Sequence, residues 1–258
     1  MFELCLGDST TKLITNAEDI TEEFLTQSAG SYYTEHISHL KRVFNKIHVR
    51  TFLEFGVGFS TKYFIDHSEK AISVEIVTPG TGPEWVKYCI NLYRNYKNWI
   101  PIVYFAGKYN GRDLENSWAP YKYMGADSVY QAAAYQPAHY QSYTLLDPSY
   151  LKDLDKFVKQ QLASNEIDFA FVDSGVYIRG DLVQTLLNNQ VPIIAAHDVS
   201  PNRKLIDKDV YGYNLIVVPE NYIEIHVPLG MGTGFWIKKE AKYLEIIEDL
   251  QEYVKPKK

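Results

Sequence analysis

Cysteine is nearly absent. Cys5 and Cys89 are the only two in 258 residues, too few and too far apart for a disulfide framework, which favours a reducing compartment. No run approaches the roughly 18 apolar residues of a membrane-spanning helix. The first residues, Met1-Phe-Glu-Leu-Cys-Leu-Gly-Asp8, hold no basic stretch ahead of an apolar one, so no secretory leader is expected. Positive charge is also in deficit. Lys and Arg number 26 against 32 Asp and Glu, a net charge of −6, which removes the global basic footprint of a nucleic-acid binder. No internal repeat or low-complexity tract occurs. These absences predict a soluble, cytoplasmic protein whose partner is neither nucleic acid nor membrane. What is present in quantity is apolar side chain, 46% of the residues, ample for a sizeable core, and tyrosine, 21 of them, crowded in the middle of the chain.

The chain is organised around Thr51-Phe-Leu-Glu-Phe-Gly-Val-Gly-Phe-Ser-Thr61. Thr51 to Phe55 is apolar and β-prone and predicts a short buried strand. Gly56 and Gly58 then allow a tight turn where backbone approaches a ligand without an intervening Cβ. Ser60 and Thr61 are good N-cap residues, and Lys62 to His67 continues as a helix. Strand, glycine turn and helix together cradle a nucleotide or a related cofactor.

Two details bear on which one. The pattern is Gly-x-Gly-x-Ser-Thr, so the third glycine of the dinucleotide fingerprint is replaced by Thr61. Glu54 stands two residues before the first glycine, placed by the sequence at the mouth of the turn. A carboxylate there repels a pyrophosphate and attracts an ammonium group, as carried by S-adenosylmethionine. Glu75 closes the run Ala71-Ile-Ser-Val-Glu75, 21 residues after Glu54, where an acid can take both ribose hydroxyls.

These stretches, with Phe169-Ala-Phe-Val-Asp173 and Ile193-Ile-Ala-Ala-His-Asp198, resemble the class I S-adenosylmethionine-dependent methyltransferases. The series looks most like the branch that includes macrolide-sugar O-methyltransferases and, more distantly, the catechol type. The resemblance covers roughly residues 32 to 239, minus a central insertion. It implies a Rossmann-like sheet with an antiparallel last strand. It also implies S-adenosylmethionine as cofactor, held by Glu54, Gly56, Gly58, Ser60, Thr61 and Glu75. Trp85 corresponds to the family's aromatic after the second strand; packing on the cofactor and capping the core are both open to it.

Alternation of strands and helices along the chain predicts an α/β fold, a doubly wound and mostly parallel sheet of about seven strands with helices on both faces. Residues 1–50 form an N-terminal helical segment, 51–239 the methyltransferase domain with an insertion at 107–148, and 240–258 a C-terminal helix and tail. Helices are expected over 17–27, capped by Asn16, over 34–47, 84–97, 150–163, 178–188 and 240–253. Strands are expected over 71–76, 100–105, 168–173, 191–196, 213–218, 222–227 and 235–238. His36 and His39 lie three apart on the second helix; they read as a solvated face, since a metal pair would need a third ligand. The segment 107–148 breaks the pattern. Its tyrosines suit a substrate lid or recognition platform, and equally a subunit interface, which leaves a homo-oligomer open, or a local mini-core.

A second constellation ends the fourth and fifth strands of the doubly wound core. Asp173 and the pair His197-Asp198 leave strands about 4.8 Å apart, so their side chains are expected to meet. Asp173, His197 and Asp198 could hold a divalent metal, and the related metal-dependent O-methyltransferases carry acidic or amide ligands at these strand ends; an imidazole here fits magnesium poorly. Alternatively His197, with Asp173, takes the proton of an acceptor hydroxyl. Arg179, six residues after Asp173, could bind substrate, but a structural ion pair with a carboxylate is the expected role. His139 is a weaker base candidate, and His226 reads as structural. The sequence thus predicts methyl transfer to oxygen of a small molecule or sugar. Its rivals are a metal-dependent oxidoreductase or hydroxylase-like protein on the same fold, and a non-catalytic binding protein.

Overall fold

A computed structural model of the chain describes residues 14–27, 34–77, 84–105, 122–125, 148–174, 178–205, 209, 211–228 and 230–255. The strands are β1 (Val49–Phe55), β2 (Ser68–Val77), β3 (Trp99–Phe105), β4 (Lys122–Gly125), β5 (Phe169–Val172), β6 (Ile193–His197), β7 (Tyr222–Val227) and β8 (Thr233–Lys238). They form one sheet in the order β4-β3-β2-β1-β5-β6-β8-β7. Every pair from β4 to β6 is parallel, and β8 runs antiparallel to both β6 and β7. The expected doubly wound sheet is therefore present, with β4 as an additional edge strand inside the segment 107–148. The rest of that segment up to 147, His139 included, lies outside the described residues.

Side chains alternate across each strand, and the two faces bury separate cores. Phe52, Phe169, Phe171, Ala195 and Phe235 face one layer, together with Ile37, Leu40 and Val43 of α2 (His36–Phe44), Phe64 of α3 (Thr61–His67), Ile90 of α4 (Glu84–Tyr93) and Leu250 of α7 (Leu244–Tyr253). Leu53, Phe55, Val172, Ile194 and Trp236 face the other, with Phe157 of α5 (Pro148–Ser164) and Leu182 and Leu186 of α6 (Arg179–Asn188). The short α1 (Glu22–Gln27) joins the first layer through Leu25. Its expected span is broken: Asn16 caps a single 3-10 turn at Ala17–Asp19, and Thr21 Oγ1 accepts from Phe24 N at 3.0 Å to start the helix proper. None of the described helices is long and apolar enough to cross a membrane.

Two further expectations fail for stateable reasons. Residues 213–218 are not a strand; Tyr213–Leu215 is a 3-10 turn. The sheet position beside β6 is filled by β8, and the buried Arg203 guanidinium takes the Tyr213 and Ile216 carbonyls that a neighbouring strand would have taken. His36 and His39 are not on a solvated face. Both are buried, because α2 is sandwiched between the sheet and α7: His36 Nε2 meets Ser60 Oγ at 2.9 Å and His39 Nδ1 meets Thr233 Oγ1 at 2.8 Å.

Candidate functional site

The strand order reverses between β1 and β5, and ligands of such sheets bind over the carboxyl ends of the strands at that point. Four predicted elements converge there: the glycine turn after β1, Glu75 near the end of β2, Asp173 after β5, and His197-Asp198 at the end of β6.

Gly56 has φ +109, and a Cβ there would overlap the Asp173 carbonyl, so only glycine lets the turn lie against β5. Three of the turn's N–H donors are already used, Gly56 N by the Val74 carbonyl at 2.9 Å. Val57 N donates to Glu75 Oε2 at 2.7 Å, and Gly58 N donates to Thr61 Oγ1 at 3.0 Å. Trp85 Nε1 donates to the Val57 carbonyl at 2.6 Å, and its ring packs edge-on against Phe59. Trp85 therefore caps the turn directly. Glu75 is part-buried, and burial pushes its carboxyl up to about 7. Ser60 and Thr61 are buried, and the Ser60 hydroxyl goes to His36, not to the helix start.

Glu54 is not at the mouth of the turn. Its side chain is 2% exposed, on the same strand face as Phe52 because the two are two residues apart. The pairing of Glu54 with Ser73 places the carboxyl beneath the turn, where Ser73 Oγ donates to Oε1 at 2.5 Å and is itself held by Trp99 Nε1 at 2.7 Å. Burial raises the Glu54 carboxyl to about 8, so at neutral pH this is mostly a neutral acid buttressing the turn. The expected place of Glu54 at the mouth of the turn is corrected accordingly. A raised folded-state pKa gives stability that is complete below the ordinary value of 4.5 and is lost as pH rises towards 8. Glu54→Gln should therefore gain on the wild type by roughly 3 kcal/mol between pH 5 and 8, at about 1.4 kcal/mol per unit. Denaturant unfolding across that range measures it; parallel curves would disprove the buried acid.

Asp173, His197 and Asp198 do meet. His197 Nδ1 lies 3.4 Å from Asp173 Oδ1 and 3.6 Å from Asp198 Oδ1. Burial lowers the His197 basicity, but the hydrogen bond and charge of Asp173 outweigh it and leave the imidazole above its ordinary 6.5. The Nε2 atom of His197 is buried without a hydrogen bond among the described residues, its nearest charged neighbour being Glu35 Oε1 at 3.5 Å. Glu35 is pinned over His197 by accepting the Met231 N–H.

Arg179 pairs with a carboxylate as expected, and in fact with two. Its Nη1 reaches Asp173 Oδ1 at 3.0 Å and Asp198 Oδ2 at 2.8 Å. Although burial works against ionisation, the guanidinium holds Asp173 down at about 2. The Asp173, His197 and Asp198 metal set does not assemble in the expected form, because Asp198 is turned to Arg179. The cluster whose candidate ligand atoms all lie within 4.8 Å of one another is His36, Asp173 and His197. His36 is fully buried and packs edge-on against His197, ring centroids 4.8 Å apart; burial lowers it to about 3, so it stays neutral. Sequence reasoning set His36 aside for want of a third ligand, and the fold brings two. His226 accepts its structural role beside Glu224, Nε2 to Oε1 at 2.9 Å.

No family model matches the sequence, and no curated protein matches it. Solved structures do. An O-methyltransferase from Bacillus cereus in complex with SAH is 12% identical at a TM-score of 0.48, over 90% of this chain and 94% of that one. A SAH-bound methyltransferase from Podospora anserina is 12% identical at 0.41, over 90% and 100%. A methyltransferase of the mycinamycin biosynthetic pathway in complex with Mg and SAH is 12% identical at 0.36, over 83% and 48%. At such identities and TM-scores the likeness assigns no family.

Proposed function

We propose that this protein is an S-adenosylmethionine-dependent methyltransferase acting on a hydroxyl oxygen of a small molecule or sugar. The observation that carries this reading is the state of the glycine turn. Its Val57 and Gly58 N–H groups are satisfied by Glu75 and Thr61, so those two donors are withdrawn from a diphosphate, which meets the Glu75 carboxylate beside them. Glu75 accepts from ribose hydroxyls. Gly56 supplies the close approach.

When bound, the cofactor supplies a methyl group on a sulfonium, electrophilic towards an oxygen placed in line with it. His197 takes the acceptor proton on Nε2 as the oxygen–carbon bond forms and the carbon–sulfur bond breaks. Asp173 orients the ring through Nδ1 and stabilises the imidazolium. A second reading, in which a cation held by His36, Asp173 and His197 activates the hydroxyl, is favoured only by the proximity of those three side chains.

Calorimetry should show S-adenosylhomocysteine binding to the wild type and no binding of NADH. Absence of the first, or tight binding of the second, sinks the proposal. Once an acceptor is identified, His197→Gln should lower kcat by about 10²–10⁴ with cofactor affinity unchanged. Asp173→Asn should move the acidic limb of the pH–rate profile to lower pH, because it removes the charge that raises His197.

A further inference from the structure

Two carboxylates leaving adjacent strands and turned towards each other need a positive partner when water is scarce. In this fold that partner is covalently attached. Arg179, in the first turn of α6, is 6% exposed. Its Nε donates to the Ser174 carbonyl at 2.7 Å, its Nη1 is shared between Asp173 and Asp198, and its guanidinium carbon lies 4.2 Å from the centre of the Tyr211 ring. Local backbone is shaped for this. Gly180 has no room for a Cβ against the Gly212 carbonyl, and its N–H donates to the Tyr211 carbonyl at 2.8 Å, which brings residues 211 and 212 onto the start of the helix. Asp198 takes φ 59, a left-handed conformation that few non-glycine residues adopt.

We propose that Arg179 is the resident cation of the acceptor site, standing where the Asp173 and Asp198 carboxylates would otherwise draw a divalent ion, so that methyl transfer here needs no added metal. A guanidinium differs from a bound ion in what it can do. It offers only donors and stays charged at any working pH, so it keeps Asp173 an acceptor for His197. It has no open coordination position for an acceptor oxygen, and proton removal falls to His197. Arg179 is thus a positioning residue. The catalytic part of the proposal rests on the methyltransferase reading above; the cation part is a property of the two carboxylates and can be measured without turnover.

The test is titration of the wild type and of Arg179→Ala with Mn²⁺ and Zn²⁺, followed by calorimetry, Mn²⁺ paramagnetic resonance and thermal unfolding. The wild type should show no saturable binding of either ion, and its methyl transfer should survive EDTA. Arg179→Ala should melt lower, bind Mn²⁺ in a way that Asp198→Asn abolishes, and regain part of its melting temperature when Mn²⁺ is added. Its pH–rate limb should move to higher pH, since the guanidinium opposes protonation of His197, a change that a merely structural role would not produce. Arg179→Lys keeps the charge and should bind no Mn²⁺. If Arg179→Ala does not fold, broadening of the His36 and His197 resonances by Mn²⁺ in the wild type decides the matter: none is expected. Saturable Mn²⁺ or Zn²⁺ binding by the wild type, lost in Asp173→Asn or His36→Asn, overturns the proposal. So does a folded Arg179→Ala that binds Mn²⁺ no better than the wild type. Failure of S-adenosylhomocysteine to bind would remove the methyltransferase reading and leave the cation result standing.

Discussion

Glu75→Ala is expected to weaken S-adenosylhomocysteine by roughly 30- to 1,000-fold while leaving the fold intact. A hydrogen bond to a charged group contributes about 1.5–3 kcal/mol. Losing the acceptor for a ribose diol therefore costs about 2–4 kcal/mol of affinity, at 1.4 kcal/mol per tenfold. The residue also holds the Val57 N–H at 2.7 Å, so the turn loses its clamp along with its ligand contact. Burial has raised the Glu75 carboxyl to about 7, and a diol donates better to the ionised form. Cofactor affinity should accordingly rise with pH between 6 and 8, with a proton released on binding. Glu75→Gln keeps an acceptor oxygen and should bind better than Glu75→Ala, without the pH dependence. Calorimetry in buffers of differing ionisation enthalpy reads all of this. Undiminished binding by Glu75→Ala would remove the residue from the site.

The second large effect is on stability. Arg179→Met leaves the part-buried Asp173 and Asp198 carboxylates facing each other without the guanidinium. Removing one partner of a buried ion pair destabilises by about 3–5 kcal/mol, a large share of the 5–15 kcal/mol typical of a domain. The pH dependence has a definite sign. Asp173 titrates at about 2 in the folded protein against an ordinary 3.8, so its share of stability is present above 3.8 and lost as pH falls towards 2. The deficit of Arg179→Met should be greatest near neutrality and shrink in acid. Adding Asp198→Asn should restore part of it, since one of the two uncompensated charges is gone. A variant as stable as the wild type at pH 7 would mean that the carboxylates are solvated enough not to need the arginine.

The sequence makes some of this legible and hides the rest for physical reasons. The glycine turn, the strands around it and the acid at the end of β2 are local patterns, and local patterns fix local geometry. Glu54 shows where that stops. Its distance from Gly56 suggested the lip of the turn, yet strand periodicity puts it on the face of Phe52, and that parity was a usable signal. Residues 213–218 look β-prone, but a strand needs a neighbour, and Arg203 took the carbonyls instead. His36 was out of reach for a different reason. It comes from a helix that precedes β1, and only the packing of α2 over the sheet brings it to the strand ends. Nothing local announces the left-handed backbone at Asp198 either.

The bond between His39 and Thr233 ties the second helix to the last strand, in which Thr233 is also the residue paired with His197. Glu35 depends on the Met231 N–H from the same stretch. During synthesis, then, these two ties of α2 form only after the strands β1 to β7 have been made. A nascent chain stalled ahead of Met231 would lack both the Thr233 hydroxyl that meets His39 and the N–H that holds Glu35.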